Sequence, residues 1–408
     1  MRLHPLLRSL TRHKLTVVLM LLATALTCAI VINIASMVMH RIALLDAPSG
    51  LDENALVMFT SAQIKATDSG GGHGFHAQYA ADLAVLRGIP GVRSGLVVGG
   101  LPMWGGSGID ISSKAGAVQH QGFQATAFTG GPGELQTLGL HLLQGRDFLP
   151  SEYVPLNDYK GMNHFSVAII SRSLAERLFH SDDAVGRLFY TSDRPIRVVG
   201  VVAHLMGMSP QLGASDNEYA MLLPVRPDGD YITFVLRTTP ADRGRVLSRA
   251  VALLGHRDPL RVFDNAETFA QARAQYFRRD SSMIGLLLAA GIGLLIVTAS
   301  GIAGLASFWV QQRTRSIGIR RAVGATRADI LRYFHAENFL IVTGGVLLGC
   351  VLAYGLNLLM MHYYALEVLP PGYLAVGAIA LWLIGQVAVL GPALRAAAVP
   401  PVVATRSA

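Results

Sequence analysis

Four long apolar runs constrain this 408-residue chain more than any other feature. Leu15 to Met39, Met283 to Val310, Asn338 to Met361 and Leu374 to Leu394 contain no Asp, Glu, Lys or Arg. A helix rises about 1.5 Å per residue, so each run can cross a hydrocarbon core about 30 Å thick. With 51% hydrophobic and 15% charged residues, the composition is apolar for a globular chain in water. The expected fold class is membrane α-helical, with four transmembrane helices and a large extracytoplasmic α/β domain of two lobes inserted between helices 1 and 2.

Charge sets the expected orientation. Arg2, Arg8, Arg12 and Lys14 precede the first run without an acid, and Arg313, Arg315, Arg320, Arg321, Arg327 and Arg332 follow the second. Between His40 and Asp280 there are 22 Lys plus Arg against 23 Asp plus Glu, so the net charge of +8 comes from short membrane-flanking segments. By the positive-inside rule those segments are cytoplasmic and the insert lies outside. The expected organisation is a cytoplasmic N-terminus (1–14), helix 1 (15–39), an external core domain (40–280), helix 2 (283–310), a cytoplasmic loop (311–337), helix 3 (338–361), a short external loop (362–373), helix 4 (374–394) and a cytoplasmic tail (395–408). The pI of about 9.7 then reports topology rather than nucleic-acid binding, since the insert has no basic stripe interleaved with aromatics. The first run exceeds the length of a signal-peptide core and is followed by no small-x-small site before His40, so it reads as an uncleaved anchor.

Both cysteines, Cys28 and Cys350, fall inside apolar runs, so the insert must fold on its own core without an internal disulfide. Its punctuation suggests mixed α/β structure. Asp82 to Arg87 reads as a helix end closed by Gly88, Pro90 and Gly91, with Val92 to Val98 as a strand. Val167 to Ile170 reads as a strand, Ser171 as an N-cap, Ser173 to Phe179 as a short helix, and Arg197 to Val202 as a strand. Ile232 to Arg237 and Leu260 to Phe263 look like further strands. Ser69 to Gly74 and Gly99 to Gly108 read as loops. An outer lobe at about residues 114–226 is expected, inserted in a discontinuous first α/β lobe.

Several chemistries are disfavoured by the residues. No G-x-x-x-x-G-K-[ST] loop exists to cradle phosphates, so this stretch of chain is not expected to hydrolyse ATP. His73 and His76 sit on a Gly-rich loop without a nearby carboxylate or Cys, a poor metal site; no metal ligands are assigned. Ser107 lacks the second glycine of a nucleophile elbow, and no catalytic residue is assigned. No run carries an ionisable group near its middle, where a polar conduction path would need one. Asn33 and Asn357 read as interhelical glue. Gly345 and Gly349 form G-x-x-x-G, and Gly285, Ala289 and Gly293 repeat small residues every four positions, so close helix contact is expected on both faces, within one chain or between two copies. Met283 to Val310 spans 28 residues, about 42 Å as a helix, so it tilts or extends outward as a stalk.

The segment QQRTRSIGIRRAVGATRADILRYF, Gln311 to Phe334, resembles the cytoplasmic loop of ABC transporter permeases of the MacB and FtsX type. ADLAVLRGIPGVRS (Ala81 to Ser94), LGLHLLQGRDF (Leu138 to Phe148), SVAIISRSLAERLF (Ser166 to Phe179), AVGRLF (Ala184 to Phe189) and IRVVGVV (Ile196 to Val202) are similar, in order, to that family's periplasmic core domain. GPALRAAAVPP, Gly391 to Pro401, resembles its closing segment. The resemblance implies an inner-membrane, multi-pass permease with both termini cytoplasmic and the large domain periplasmic. It implies a cytoplasmic ABC ATPase subunit, which would bind the ATP and Mg, and a second permease copy or paralogue. A periplasmic adaptor, an outer-membrane channel and membrane lipid complete the implied partners; nucleic acid is not among them. The implied function is mechanotransmission, with ATP hydrolysis in the partner driving external movement for efflux. An FtsX-like regulator of a periplasmic cell-wall hydrolase and a Lol-like lipoprotein extraction subunit are alternatives. The expected ATPase-coupling residues are Arg313, Arg315, Ile317, Gly318, Arg320, Arg321, Gly324 and Arg327; Ser316 to Arg321 and Thr326 to Phe334 read as two short helical stretches separated by Gly324. Apolar Ile317, Ile319 and Val323 among arginines suit docking; the same arginines would equally face anionic headgroups. Gln312 and Ser316 stand where the family pattern has Glu, which would tune or weaken docking.

Overall fold

A computed structural model describes residues 14–63, 75–116, 122–155, 165–181, 183–191, 194–211, 214, 216–229, 231–364 and 371–398. Two compact units result: an external one, Leu44–Arg278, and a membrane one made of Met1–Ala43 and Arg279–Ala408. After α1 (Lys14–Asp46) the chain forms β1 (Leu56–Gln63), α2 (Phe75–Arg87) and β2 (Ser94–Val98). It then departs through β3 (Ser107–Ile111), β4 (Phe123–Thr129), α3 (Glu134–Leu138), β5 (Leu142–Gly145), β6 (Val154–Pro155), β7 (Val167–Ser171), α4 (Arg172–Phe179), β8 (Leu188–Thr191), β9 (Arg194–Val202), β10 (Ala220–Leu223) and β11 (Val225–Arg226). It returns as β12 (Tyr231–Arg237), α5 (Arg243–Arg257), β13 (Arg261–Thr268) and α6 (Phe269–Tyr276), followed by α7 (Arg278–Ala322), α8 (Arg327–Tyr364) and α9 (Pro371–Ala398).

The first external lobe is an antiparallel sheet in the order β13-β1-β12-β2. With α2 and α5 as its crossovers, it has the split β-α-β of a ferredoxin-like fold, interrupted between β2 and β12. Alternation along the strands assigns the faces. Val57, Phe59, Val97, Ile232, Phe234 and Leu236 pack with the helices through Leu86, Val246, Ala250 and Leu254. Leu56, Met58, Leu96, Val98 and Val235 face the other way, into a second core shared with Leu135, Leu138, Phe148, Ile169 and Leu222. A buried ion pair, Arg261 Nη1 to Asp82 Oδ2 at 2.7 Å, ties β13 to α2.

The inserted lobe carries a sheet in the order β3-β4-β10-β7-β9-β5, with β8 beside β9. It begins at Ser107, ahead of the expected 114, because β3 pairs with β4 from Ser107–Ala127 to Ile111–Phe123. The expected loop over Gly99 to Gly108 is correspondingly shorter. Ser171 caps α4, its Oγ accepting from Leu174 N at 3.2 Å. At the seam between the sheets, Gly99 N donates to Thr129 O at 2.8 Å and Gly131 N to Val97 O at 3.1 Å. Glu134 opens α3 here with its carboxylate buried and neither oxygen hydrogen-bonded.

In the membrane unit, α1, α7, α8 and α9 are long and apolar enough to span a bilayer. All four exceed the expected runs because helix-compatible residues continue past them: α1 reaches Asp46, α7 runs from Arg278 to Ala322, α8 starts at Arg327 and α9 runs from Pro371 to Ala398. The segment 311–337 is thus the ends of two helices and a short turn at 323–326; Gly318 alone, at a cost of about 1 kcal/mol, does not break α7, which ends just before Gly324. Polar side chains bridge the helices as interhelical glue. Thr27 and Thr298 hydroxyls meet at 2.7 Å, Asn33 Nδ2 donates to Ala353 O at 3.3 Å, and Asn338 Nδ2 to Gly385 O at 3.0 Å.

Candidate coupling site

The turn between α7 and α8 is positioned from both sides. Gly324 adopts φ +107°, a conformation that costs glycine nothing and reverses the chain. Ahead of it, Val323 N donates to Ile319 O at 3.1 Å, closing the last turn of α7. Beyond it, Thr326 and Asp329 cap α8 reciprocally. Asp329 N donates to Thr326 Oγ1 at 3.2 Å, while Thr326 N and Oγ1 donate to Asp329 Oδ2 at 3.1 and 2.6 Å. This satisfies two donors at a helix start that have no intrahelical partner. The TRAD spacing at 326–329 was the available signal for this cap.

The apolar residues divide by helical phase. Ile317 is buried with Ile330 and Phe334 of α8, Met20 of α1, Trp309 of α7 and Val389 and Ala393 of α9. It anchors the turn to its own bundle. Ile319, two positions on, is 51% exposed, and Val323, one turn beyond Ile319, is 85% exposed. Gly318 is buried and Gly324 exposed; Arg327 and Arg332 are exposed. The side chains of Arg313, Arg315, Ser316, Arg320 and Arg321 lie outside the described residues, although their backbone is helical. Asp329 is committed to the cap, so the turn presents an apolar knob beside basic residues. Such a knob can dock on a protein with an apolar pocket and an acidic rim.

The two small-residue faces also divide. A Cβ added at Gly345 would lie 2.8 Å from Thr24 Cβ, and one at Gly349 would lie 2.4 Å from Cys28 Cβ. That face is filled by α1 of the same chain. Among the described residues no atom lies within 4 Å of a Cβ added at Gly285 or Gly293, and Ala289 is exposed. On α7 only 6% of the most apolar stretch is buried within the chain, against 44% on α1. Near its start, α7 is tied to α1 by the Arg41–Asp280 ion pair. Within the external unit, Arg273 of α6 donates to Leu45 O at 2.7 Å and Ala47 O at 2.6 Å and pairs with Glu53. It thereby satisfies carbonyls at the end of α1 that lack helical partners. Among the described residues no group of His, Cys, Asp and Glu could hold a metal; His73 and the side chain of His76 lie outside them.

Comparison with known proteins agrees with this architecture. Residues 17–253 match the family model for the MacB-like periplasmic core domain, and residues 288–401 match the FtsX-like permease C-terminal model. An uncharacterized ABC transporter permease, YknZ of Bacillus subtilis, is 27% identical over 67% of this chain and 68% of its own. The pyoverdine export ATP-binding/permease protein PvdT of Pseudomonas syringae is 30% identical over 60% of this chain, which spans 38% of that relative. The macrolide export ATP-binding/permease protein MacB of Chromobacterium violaceum is 27% identical over 63% of this chain and 42% of its own. The crystal structure of the periplasmic region of MacB from Actinobacillus actinomycetemcomitans covers 56% of this chain and 96% of its own at 16% identity and a TM-score of 0.33. Both matched regions are of permease type, and with the periplasmic core model covering more than half of the sequence, the chain belongs to the MacB/FtsX-like family of ABC transporter permeases.

Proposed function

We propose that this chain is the permease subunit of an ABC-type exporter working by mechanotransmission. A separate ATPase subunit, holding ATP and Mg, docks on the α7–α8 turn in the cytoplasm, and its cycle drives conformational change in the periplasmic unit. The observation that carries this reading is the turn itself: an exposed Ile319–Val323 knob on a helix that continues unbroken for 45 residues, about 67 Å at 1.5 Å per residue. A rigid helix of that length transmits a displacement at the turn to its far end without a hinge to absorb it. Arg313, Arg315, Arg320, Arg321 and Arg327 supply the charged rim, and Ile317, Gly318 and Gly324 fix the shape of the turn. The protein sits in the bacterial inner membrane with both termini cytoplasmic, an orientation that the basic segments support.

The open Gly285, Ala289 and Gly293 face of α7 is the surface on which a second permease copy or a paralogue packs, whereas Gly345 and Gly349 serve packing inside one chain. A periplasmic adaptor and an outer-membrane channel would complete an efflux path. The direct test is replacement of Arg320 and Arg321 by Glu. Membrane insertion should be unchanged while ATPase activity is uncoupled from export; export at the wild-type rate would refute the assignment.

A further inference from the structure

Between the two lobes of the external unit lies a cleft of about 260 Å³. Leu83 and Arg87 of α2 and Val97 of β2 line it from the first lobe; Pro132, between β4 and α3, and Arg226 of β11 line it from the inserted lobe, and Pro227 lines it where the chain returns to β12. Its lining includes two guanidinium groups and no carboxylate. Arg87 Nη2 donates to Gly95 O at 2.7 Å, which leaves most of its five N–H donors uncommitted. Arg226 stands 5.9 Å from the centre of the Tyr153 ring. Among the described residues neither arginine pairs with an acid. The walls are otherwise chiefly aliphatic, and the space is somewhat below the range of about 300–1,000 Å³ that takes a drug-sized ligand.

We propose that this seam binds a small amphipathic anion: a carboxylate or phosphate ester carrying one ring or a short alkyl chain, its charged end on Arg87 and Arg226 and its apolar end against Leu83, Val97 and Pro227. A planar guanidinium fork matches either anion, and the aliphatic walls reward a ligand with an apolar body. Because the walls come from both lobes, the bound ligand bridges them and holds the seam closed. The site is separate from the α7–α8 turn and needs no ATPase.

The test uses the full chain in lipid nanodiscs, with empty nanodiscs subtracted, and follows ¹⁹F resonances of 4-fluorobenzoate, 4-fluorophenyl phosphate and neutral 4-fluorobenzamide. Saturable binding of at least one anion is expected, with the benzamide at least about tenfold weaker, as loss of a charge-assisted contact predicts. Whichever anion binds more tightly identifies the headgroup. Arg87→Gln and Arg226→Gln should each weaken binding about tenfold. Ala80→Phe, placed at an exposed position of the rim, should block the cleft without disturbing the core. Absence of saturable binding by both anions, equal binding of the benzamide, or binding unaffected by Ala80→Phe would overturn the proposal.

Discussion

Breaking the Asp82–Arg261 pair should destabilise the external unit more than most single changes. Both side chains are 2% exposed, with 2.7 Å between Nη1 and Oδ2. Arg261 Nε reaches its other acid, Asp258, only at 3.8 Å, too far for a hydrogen bond. Asp82→Asn keeps the shape but leaves a buried guanidinium charge with only the more distant, partly exposed Asp258 to offset it, at a cost of about 3–5 kcal/mol. For a unit of this size about 1 kcal/mol corresponds to roughly 2–4 °C, so Tm should fall by roughly 6–20 °C. Replacing both partners, Asp82→Leu with Arg261→Met, removes the orphaned charge and should recover most of that loss, since a buried pair is often worth little against apolar residues of similar volume. Thermal unfolding of the full chain in nanodiscs, followed by near-UV circular dichroism, gives both values. A fall below about 2 °C for Asp82→Asn, or a double variant at least as unstable as the single one, would refute the reasoning.

Glu134 gives a pH dependence of definite sign. Its carboxyl is buried without a hydrogen bond, and burial first, with the Asp147 carboxylate second, pushes its pKa well above the usual range; the Tyr153 phenol is also close enough to feel it. Above the ordinary carboxylate pKa the folded state therefore holds a proton that the unfolded state has lost, and stability falls as pH rises toward the folded pKa. Glu134→Gln should remove that slope, so its Tm advantage over the wild type should be larger at pH 8 than at pH 4; a pH-independent difference would contradict this. Gly349→Val should destabilise the bundle by about 1–3 kcal/mol through overpacking, because an added Cβ meets Cys28 Cβ at 2.4 Å and Ala25 O at 2.7 Å. At Gly293 an added Cβ meets no atom of the described residues within 4 Å, so Gly293→Val should leave Tm nearly unchanged while shifting the monomer–dimer equilibrium in nanodiscs toward monomer.

Legibility in the sequence followed the strength of local signals. The four spans were readable because uncharged runs of that length have few other uses, and Ser171 was readable as a cap because it stands between a β-branched strand and helix formers. β1 was missed: Leu56–Gln63 mixes Met, Ser, Thr and Ala, and its two differently buried faces emerge only from its central place between β12 and β13. α5 was missed because RGRVLSRAVALLGHR mixes Arg with apolar residues and its flanking acids, Asp242 and Asp258, read equally as turn residues. At the coupling site the residues were visible and their division was not. Ile317, Ile319 and Val323 look alike in sequence, and only the phase of a continuous α7 turns the first inward and the other two outward. Gly285 and Gly345 likewise belong to similar motifs, and only the position of α1 separates them.

The measurement closest to the central claim is affinity purification of the full chain from its native membrane in mild detergent, with mass spectrometry of what stays bound. A Val323→Asp variant and the Arg320→Glu, Arg321→Glu variant would be purified in parallel. An ABC ATPase recovered with the wild type and lost from both variants, at unchanged permease yield, is the predicted result. Recovery of the ATPase with all three, or with none while the permease remains folded, would contradict docking at the α7–α8 turn.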